Sequence, residues 1–251
     1  MSIKLVQVPT KQYTIEYPYG LDGSDLVAAG SSAMVVRLDA VLKFGSNFTD
    51  PSFLETEKRI YQRLRHDNNG VVRYYGSLED ALILQYASNG SIRQYLKRQT
   101  EPIPLSLRLR WVEQITTSVA FVHSRHVLHG DISCNNVFLD ETLNTKHGDF
   151  AGSSIIPLIY YETSHGHPEL EEISIKSEVF ALGSTFYEIM TGFKPYNELS
   201  DIEICDAYRQ GNYPSLVSLA SFDTVIAKCW SQGYGSVDEV LEDVKAEGIV
   251  L

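Results

Sequence analysis

Cysteine is scarce in this chain: Cys134, Cys205 and Cys229 are the only three in 251 residues, and their spacing matches no metal-ligand pattern. Neither a disulfide framework nor a zinc site is expected on that basis, whereas a reducing compartment is. No apolar run approaches the roughly 18 residues that a spanning helix needs. Met1-Ser2-Ile3-Lys4-Leu5 lacks the apolar stretch of a signal peptide. Basic residues are also few, 21 against 32 acidic ones, for a net charge of −11. That sign repels a phosphate backbone, so no nucleic-acid partner is expected. An acidic surface suits a basic substrate, or serves solubility alone. Internal repeats, low-complexity tracts and flexible linkers are absent. The expectation is a cytoplasmic chain, with the nucleus left open, that has no membrane span and forms a single domain over 1–251.

What is present concentrates in His129-Gly130-Asp131-Ile132-Ser133-Cys134-Asn135-Asn136 and, shortly after, Asp149-Phe150-Ala151-Gly152. An Asp and an Asn five positions apart, then an Asp-Phe behind a short hairpin, are the parts that phosphoryl transfer needs. One carboxylate orients an attacking hydroxyl, and hard oxygens hold Mg²⁺ against ATP phosphates.

The rest of the constellation lies upstream in a consistent order. Ala28-Ala29-Gly30-Ser31-Ser32-Ala33-Met34-Val35 reads as a worn glycine-rich loop, with Ala28 and Ala33 at two of the small positions and Gly30 at the centre. A β-like run ends in Ala40-Val41-Leu42-Lys43. Phe53, Ile60, Tyr61 and Leu64 then recur at helical spacing, with Glu57 beside that stripe and able to reach Lys43. Short β-like segments are expected at Ile3–Val8, Met34–Arg37, Val71–Tyr75 and Ala81–Gln85. Helical periods dominate after residue 87, the longest from Leu105 to about His123 with Leu109, Val112, Ile115, Thr116, Val119 and Val122 as its apolar stripe. Val127-Leu128 and Val137–Leu139 read as short buried strands around the Asp131 loop.

Together these motifs resemble a eukaryotic-type protein kinase domain, from about residue 25 to the C-terminus. Leu82 to Ile92 is similar to the family's hinge and first large-lobe helix, Gly166-His167-Pro168-Glu169 to its Ala-Pro-Glu segment, and Ser177 to Gly192 to its central buried helix. The resemblance implies an α+β, bilobal protein-kinase-like fold, with a small β-rich lobe over about 1–86 and a mainly helical lobe over about 87–251. It implies ATP and Mg²⁺ as cofactors, a protein substrate and a monomer, with a serine or threonine acceptor ahead of tyrosine.

Residue by residue, Asp131 is the expected base. Asn136 and Asp149 are the Mg²⁺ ligands, and Lys43 contacts phosphates while pairing with Glu57. By resemblance, Val35, Val41 and Phe138 sandwich the adenine, Gln85 and Ala87 offer backbone hydrogen bonds, and Leu84 lines the back of the pocket. His129 is expected to be structural. The departures are equally specific. Gly130 replaces the Arg that ordinarily receives a phosphorylated loop, Ala151 replaces a Gly, and Glu178 stands in for an Asp. No Arg occurs between Ser231 and Ser236 to pair with Glu169. Ser153, Ser154, Tyr160, Tyr161, Thr163 and Ser164 could accept phosphate, yet 149–169 holds no Lys or Arg to receive it. Two other readings stay open: a pseudokinase or ATP-binding scaffold without turnover, and a small-molecule kinase of the aminoglycoside or choline type, which His-Gly-Asp also suits.

Overall fold

A computed structural model of the chain describes residues 23–30, 33–45, 50–65, 68–155, 173–219 and 221–249. The strand expected at Ile3–Val8, the Gly166–Glu169 segment, and Tyr160, Tyr161, Thr163 and Ser164 lie outside these residues. The chain divides into two compact units between Asp39 and Ala40.

The first unit holds an antiparallel hairpin, β1 (Leu26–Ala29) and β2 (Met34–Val36), with a bulge between Leu26 and Ala28. The Gly30 N–H donates to the Ala33 carbonyl at 2.8 Å.

The second unit begins with an antiparallel sheet in the order β3 (Ala40–Phe44), β5 (Ala81–Gln85), β4 (Tyr74–Leu78), joined by the helix α1 (Pro51–Leu64). Helix α1 starts where the Asp50 side chain accepts the Ser52 N–H at 2.8 Å and Pro51 supplies a preset φ. It buries Glu57, Ile60, Tyr61 and Leu64. Two expectations need correcting here. Phe53 is half exposed, and its place against the core is taken by Leu54, while Glu57 lies within the buried stripe instead of beside it. The strand expected at Val71–Tyr75 runs later, as β4. Val71 and Val72 are instead buried and tied to His147, through a bridge and a 2.8 Å Val72 N–H to His147 carbonyl bond.

The helical part follows. Helix α2 (Ile92–Arg98) opens on a Ser91/Gln94 capping box. Helix α3 (Leu105–Ser124) buries the expected stripe except Leu109, which is only partly buried, together with Trp111, Ser118 and His123. Short strands β6 (Val127–Leu128), β7 (Val137–Leu139), β8 (Thr145–His147) and β9 (Ser154–Ile155) pair as β6–β9 and β7–β8. Helix α4 (Ile175–Thr191) starts at a Ser174/Ser177 capping box, and Gly192 in the left-handed region ends it. Helices α5 (Asp201–Arg209), α6 (Asp223–Trp230) and α7 (Val237–Ile249) complete the described chain. One apolar core joins α3, α4, α6 and α7 around Trp111, Phe186, Trp230 and Tyr234. A second joins Ile60, Tyr61, Leu64, Leu82 and Leu84 to Val122, Val127 and Phe150, so it couples the sheet and α1 to the helical part. Burying each such side chain is worth about 1.5–3 kcal/mol. This is the expected α+β architecture: a small antiparallel-sheet lobe leading into a helical lobe. Among the described residues, no helix is long and apolar enough to cross a membrane.

Candidate functional site

Lys43, on β3, points its ammonium at two carboxylates. Nζ lies 2.7 Å from Glu57 Oε2 and 2.7 Å from Asp149 Oδ1. Glu57 is fully buried, and its other oxygen accepts the Phe150 N–H at 3.2 Å. Burial alone would lower the Lys43 pKa, but the facing charges of Glu57 and Asp149 outweigh it and raise the pKa. Burial raises that of Glu57, with Lys43 opposing. The ammonium therefore stays charged at neutral pH with its donors aimed at Asp149, beside the space that Asp149 faces.

Phe150 holds this arrangement from below. It is fully buried, edge-on to Tyr61 of α1 at 5.2 Å and tilted against His129 at 4.7 Å. Asp149 itself takes a left-handed φ of 62°, which turns its side chain away from the buried ring that follows it. An Asp tolerates that region better than most residues.

The second cluster is the loop between β6 and β7. Asn136 is buried, and its Nδ2 donates both to the Asp131 carbonyl at 2.9 Å and to Asp131 Oδ2 at 2.7 Å. This bond fixes the carboxylate while Asp131 remains exposed. His129 is buried and uses both ring nitrogens: Nδ1 accepts the Asp131 N–H at 3.2 Å, and Nε2 donates to the Gly148 carbonyl at 3.1 Å. Burial, the largest effect, keeps its pKa below the ordinary value. The Gly148 N–H donates to the Asn136 carbonyl at 3.0 Å, so the Asp131 loop and Asp149 share one backbone frame.

Some of the machinery was not legible in the motifs. Glu178 of α4 reaches this loop, with Oε1 accepting the Gly130 N–H at 2.6 Å and Oε2 held by His123 Nε2 of α3 at 2.6 Å. The extra methylene relative to Asp is thus used to span from α4 to the loop. Arg93 makes a two-pronged pair with Glu188, both bonds 2.7 Å, and its backbone N–H donates to the Cys134 carbonyl at 3.0 Å, bracing the loop from α2. Their charges were visible; their partners are 48 to 95 residues away. One expectation is overturned: Ser153 is not open to phosphorylation, because it is buried and its hydroxyl donates to the His129 carbonyl at 2.6 Å.

The remaining residues singled out from the sequence fall as follows. Ala28, Gly30, Ala33 and Val35 all lie on the β1–β2 hairpin of the first unit. Val41 stands opposite Leu84, and Gln85 opposite Ala40, across β3–β5. Leu84 is buried and Val41 is partly exposed. The Ala87 carbonyl accepts the Gly90 N–H at 3.0 Å. Phe138 sits mid-strand in β7 and packs against the second core.

A family model described as protein tyrosine and serine/threonine kinase matches residues 37–235. Among curated proteins, a probable serine/threonine-protein kinase of Dictyostelium discoideum is 28% identical over 206 residues, covering 75% of this chain and 41% of that protein. An RGS domain-containing serine/threonine-protein kinase A from the same organism is 27% identical, covering 73% of this chain and 17% of its own length. A probable LRR receptor-like serine/threonine-protein kinase of Arabidopsis thaliana is 30% identical over 179 residues, 61% of this chain and 19% of that protein. The matches thus span less than half the length of each of these relatives.

Proposed function

The chain belongs to the protein tyrosine and serine/threonine kinase family, and from that membership we propose that it is an active protein kinase, moving the γ-phosphoryl group of ATP to a protein serine or threonine. The observation that carries this reading is Lys43 held at 2.7 Å from both Glu57 and Asp149, on the same backbone frame as the Asp131–Asn136 pair. A scaffold that only bound nucleotide would have no need of the oriented Asp131 carboxylate.

The donor set suits a magnesium nucleotide. Asn136 engages its Nδ2 with Asp131, which leaves the amide oxygen, and Asp149 gives Lys43 one carboxylate oxygen of two. These are the hard oxygens that Mg²⁺ takes. Among the described residues no group of three His, Cys, Asp or Glu could hold a metal alone, so phosphate oxygens would complete the coordination. Bound Mg²⁺ and ATP supply the transferable phosphoryl group and the neutralisation of its charge. Lys43 adds a fixed positive charge beside the phosphates, and Glu57 keeps it from swinging away. Asp131, turned by Asn136 and by the frame through His129, offers its other oxygen to the acceptor hydroxyl and takes up the proton as that hydroxyl attacks. Val41, Leu84 and Phe138 supply apolar surface for the base. The acidic balance of the chain favours a basic acceptor protein.

Radiolabelled ATP with a basic serine- and threonine-containing acceptor tests this. Wild-type protein should transfer label, and Asp131→Asn should lose about 10²-fold or more with ATP affinity nearly unchanged. Undiminished transfer in Asp131→Asn would put the base elsewhere, and nucleotide binding without transfer by the wild type would make the chain a scaffold.

A further inference from the structure

Three separate stretches line a polar cavity of about 620 Å³: the loop after α1, the outer face of α3, and the β7–β8 turn. That volume lies within the range of small-ligand sites, about 300–1,000 Å³. Its lining is unusual for a protein of net charge −11, because Arg73, Arg110 and Lys146 all contribute to it and Glu113 is the only carboxylate among the described lining residues. Among the described residues neither arginine is in an ion pair. Arg73 donates to the Asn69 side chain at 3.1 Å, and Arg110 to the carbonyls of Thr142 and Leu143 at 3.2 and 3.3 Å. Each guanidinium uses one nitrogen in these bonds and keeps further donors.

Lys146 is deeply placed, its side chain 9% exposed, with Nζ donating to the Asn69 carbonyl at 2.6 Å and Asp140 at 3.5 Å. Burial lowers its pKa; Asp140 and Glu141 oppose that, and the charge of Arg73 adds to it. Thr145 also lines the cavity, and its buried hydroxyl has no partner among the described residues. A buried hydroxyl without a partner costs about 1–3 kcal/mol, and a ligand oxygen would satisfy it.

We propose that this cavity is an anion site for a small phosphorylated ligand, gripped by the guanidinium groups of Arg73 and Arg110 with Lys146 and the Thr145 hydroxyl behind them. A phosphate suits these groups better than a carboxylate. It offers three oxygens and nearly two charges to two planar forks, a point charge and a hydroxyl. The overall negative charge repels anions elsewhere on the surface, so binding here is local rather than a general ionic effect. None of the four residues belongs to the Lys43 or Asp131 clusters, so the proposal stands independently of kinase activity.

Titration calorimetry of the full chain with inorganic pyrophosphate, in metal-free buffer at matched ionic strength, tests it. Saturable binding is expected, unchanged in Lys43→Ala, weakened about tenfold or more in Arg73→Ala/Arg110→Ala, and tightened in Glu113→Gln. If the double variant melts early, Arg110→Ala alone decides, since that residue is exposed. Loss of binding in Lys43→Ala with retention in the arginine variants would send the phosphates to the nucleotide site and overturn the proposal. Equal affinity for succinate would overturn the ligand class, and the absence of any heat at about 10 mM pyrophosphate, a Kd too weak for a built site, would remove the site altogether.

Discussion

Glu57 and Phe150, 93 residues apart, are joined by a 3.2 Å bond from the Phe150 N–H to Glu57 Oε1, while Oε2 of the same carboxylate holds Lys43. One buried side chain therefore sets both the Lys43 ammonium and the start of the Asp149 segment. Removing the cation should be felt as stability as well as rate. Lys43→Ala leaves a buried carboxylate unpaired, which for a fully buried pair costs about 3–5 kcal/mol. Lys43 is a third exposed, so about 2 kcal/mol is the expectation after discounting for solvent. Adding Glu57→Gln should return part of that loss. Urea unfolding measures both, and a Lys43→Ala protein as stable as the wild type would show that the pair contributes nothing.

Nucleotide should stabilise the fold, and magnesium should strengthen the effect. At a hundredfold excess over Kd the gain is about 2.7 kcal/mol by mass action. Thermal melts with ATP, with and without Mg²⁺, read it directly. Asn136→Ala should shrink the magnesium-dependent part and spare the rest. A melting shift indifferent to magnesium would contradict the roles given to Asn136 and Asp149.

Gly130 concerns regulation. Its φ is +81°, and a Cβ there would stand 2.5 Å from the Gly152 carbonyl and 2.8 Å from the Ile173 methyl. The place that, by the kinase resemblance, would carry a phosphate-receiving Arg is here filled by close contact with the Gly152 backbone. Gly130→Ala should cost about 1–3 kcal/mol from backbone strain alone, read by urea unfolding. Phosphatase treatment of protein from its own cells should leave the rate within about twofold, or about 0.4 kcal/mol of barrier. A tenfold loss on dephosphorylation would mean that another basic residue receives a phosphate.

His147 makes the fold acid-sensitive. Its Nδ1 lies 3.3 Å from the Ser118 hydroxyl, which itself donates to the Ile115 carbonyl, so Nδ1 carries the hydrogen, and buried Nε2 has no partner among the described residues. Burial first, then the charges of His129 and His123, hold its pKa well below 6.5. The unfolded chain thus takes up the proton first as pH drops. Stability is full above about 6.5 and declines below it toward the lowered folded value. Melting temperatures between pH 7.5 and 5 should fall, and less steeply in His147→Gln. Parallel profiles for the two proteins would assign the loss to other groups.

The sequence by itself determined whatever depends on neighbours in the chain. The 3.6-residue period marked α1 and α3, and the β-like alternation marked β2 and β5. The spacing of Asp131, Asn136 and Asp149 placed three polar groups within one loop and the hairpin after it, where the local backbone holds Asn136 against Asp131 wherever the rest of the protein goes. Tertiary structure decided what depends on partners remote in sequence. Val71 and Val72 have β character, but the Val72 N–H is taken by the His147 carbonyl and that of Val71 by the Asn68 carbonyl, and the strand moves on to Tyr74. Phe53 follows the helical period, yet the first turn of α1 leaves it half exposed while Glu57, a charged residue, is drawn inside by Lys43 and the Phe150 N–H. Glu178 could be recognised as a substituted acid, but its grip on Gly130 appears only once α4 packs against α3 and His123. Arg73, Arg110 and Lys146 look like ordinary surface charges until three distant stretches bring them to one cavity. A pattern in sequence reports the periodicity of burial; it carries no record of which distant donor meets which acceptor, because that is settled by packing.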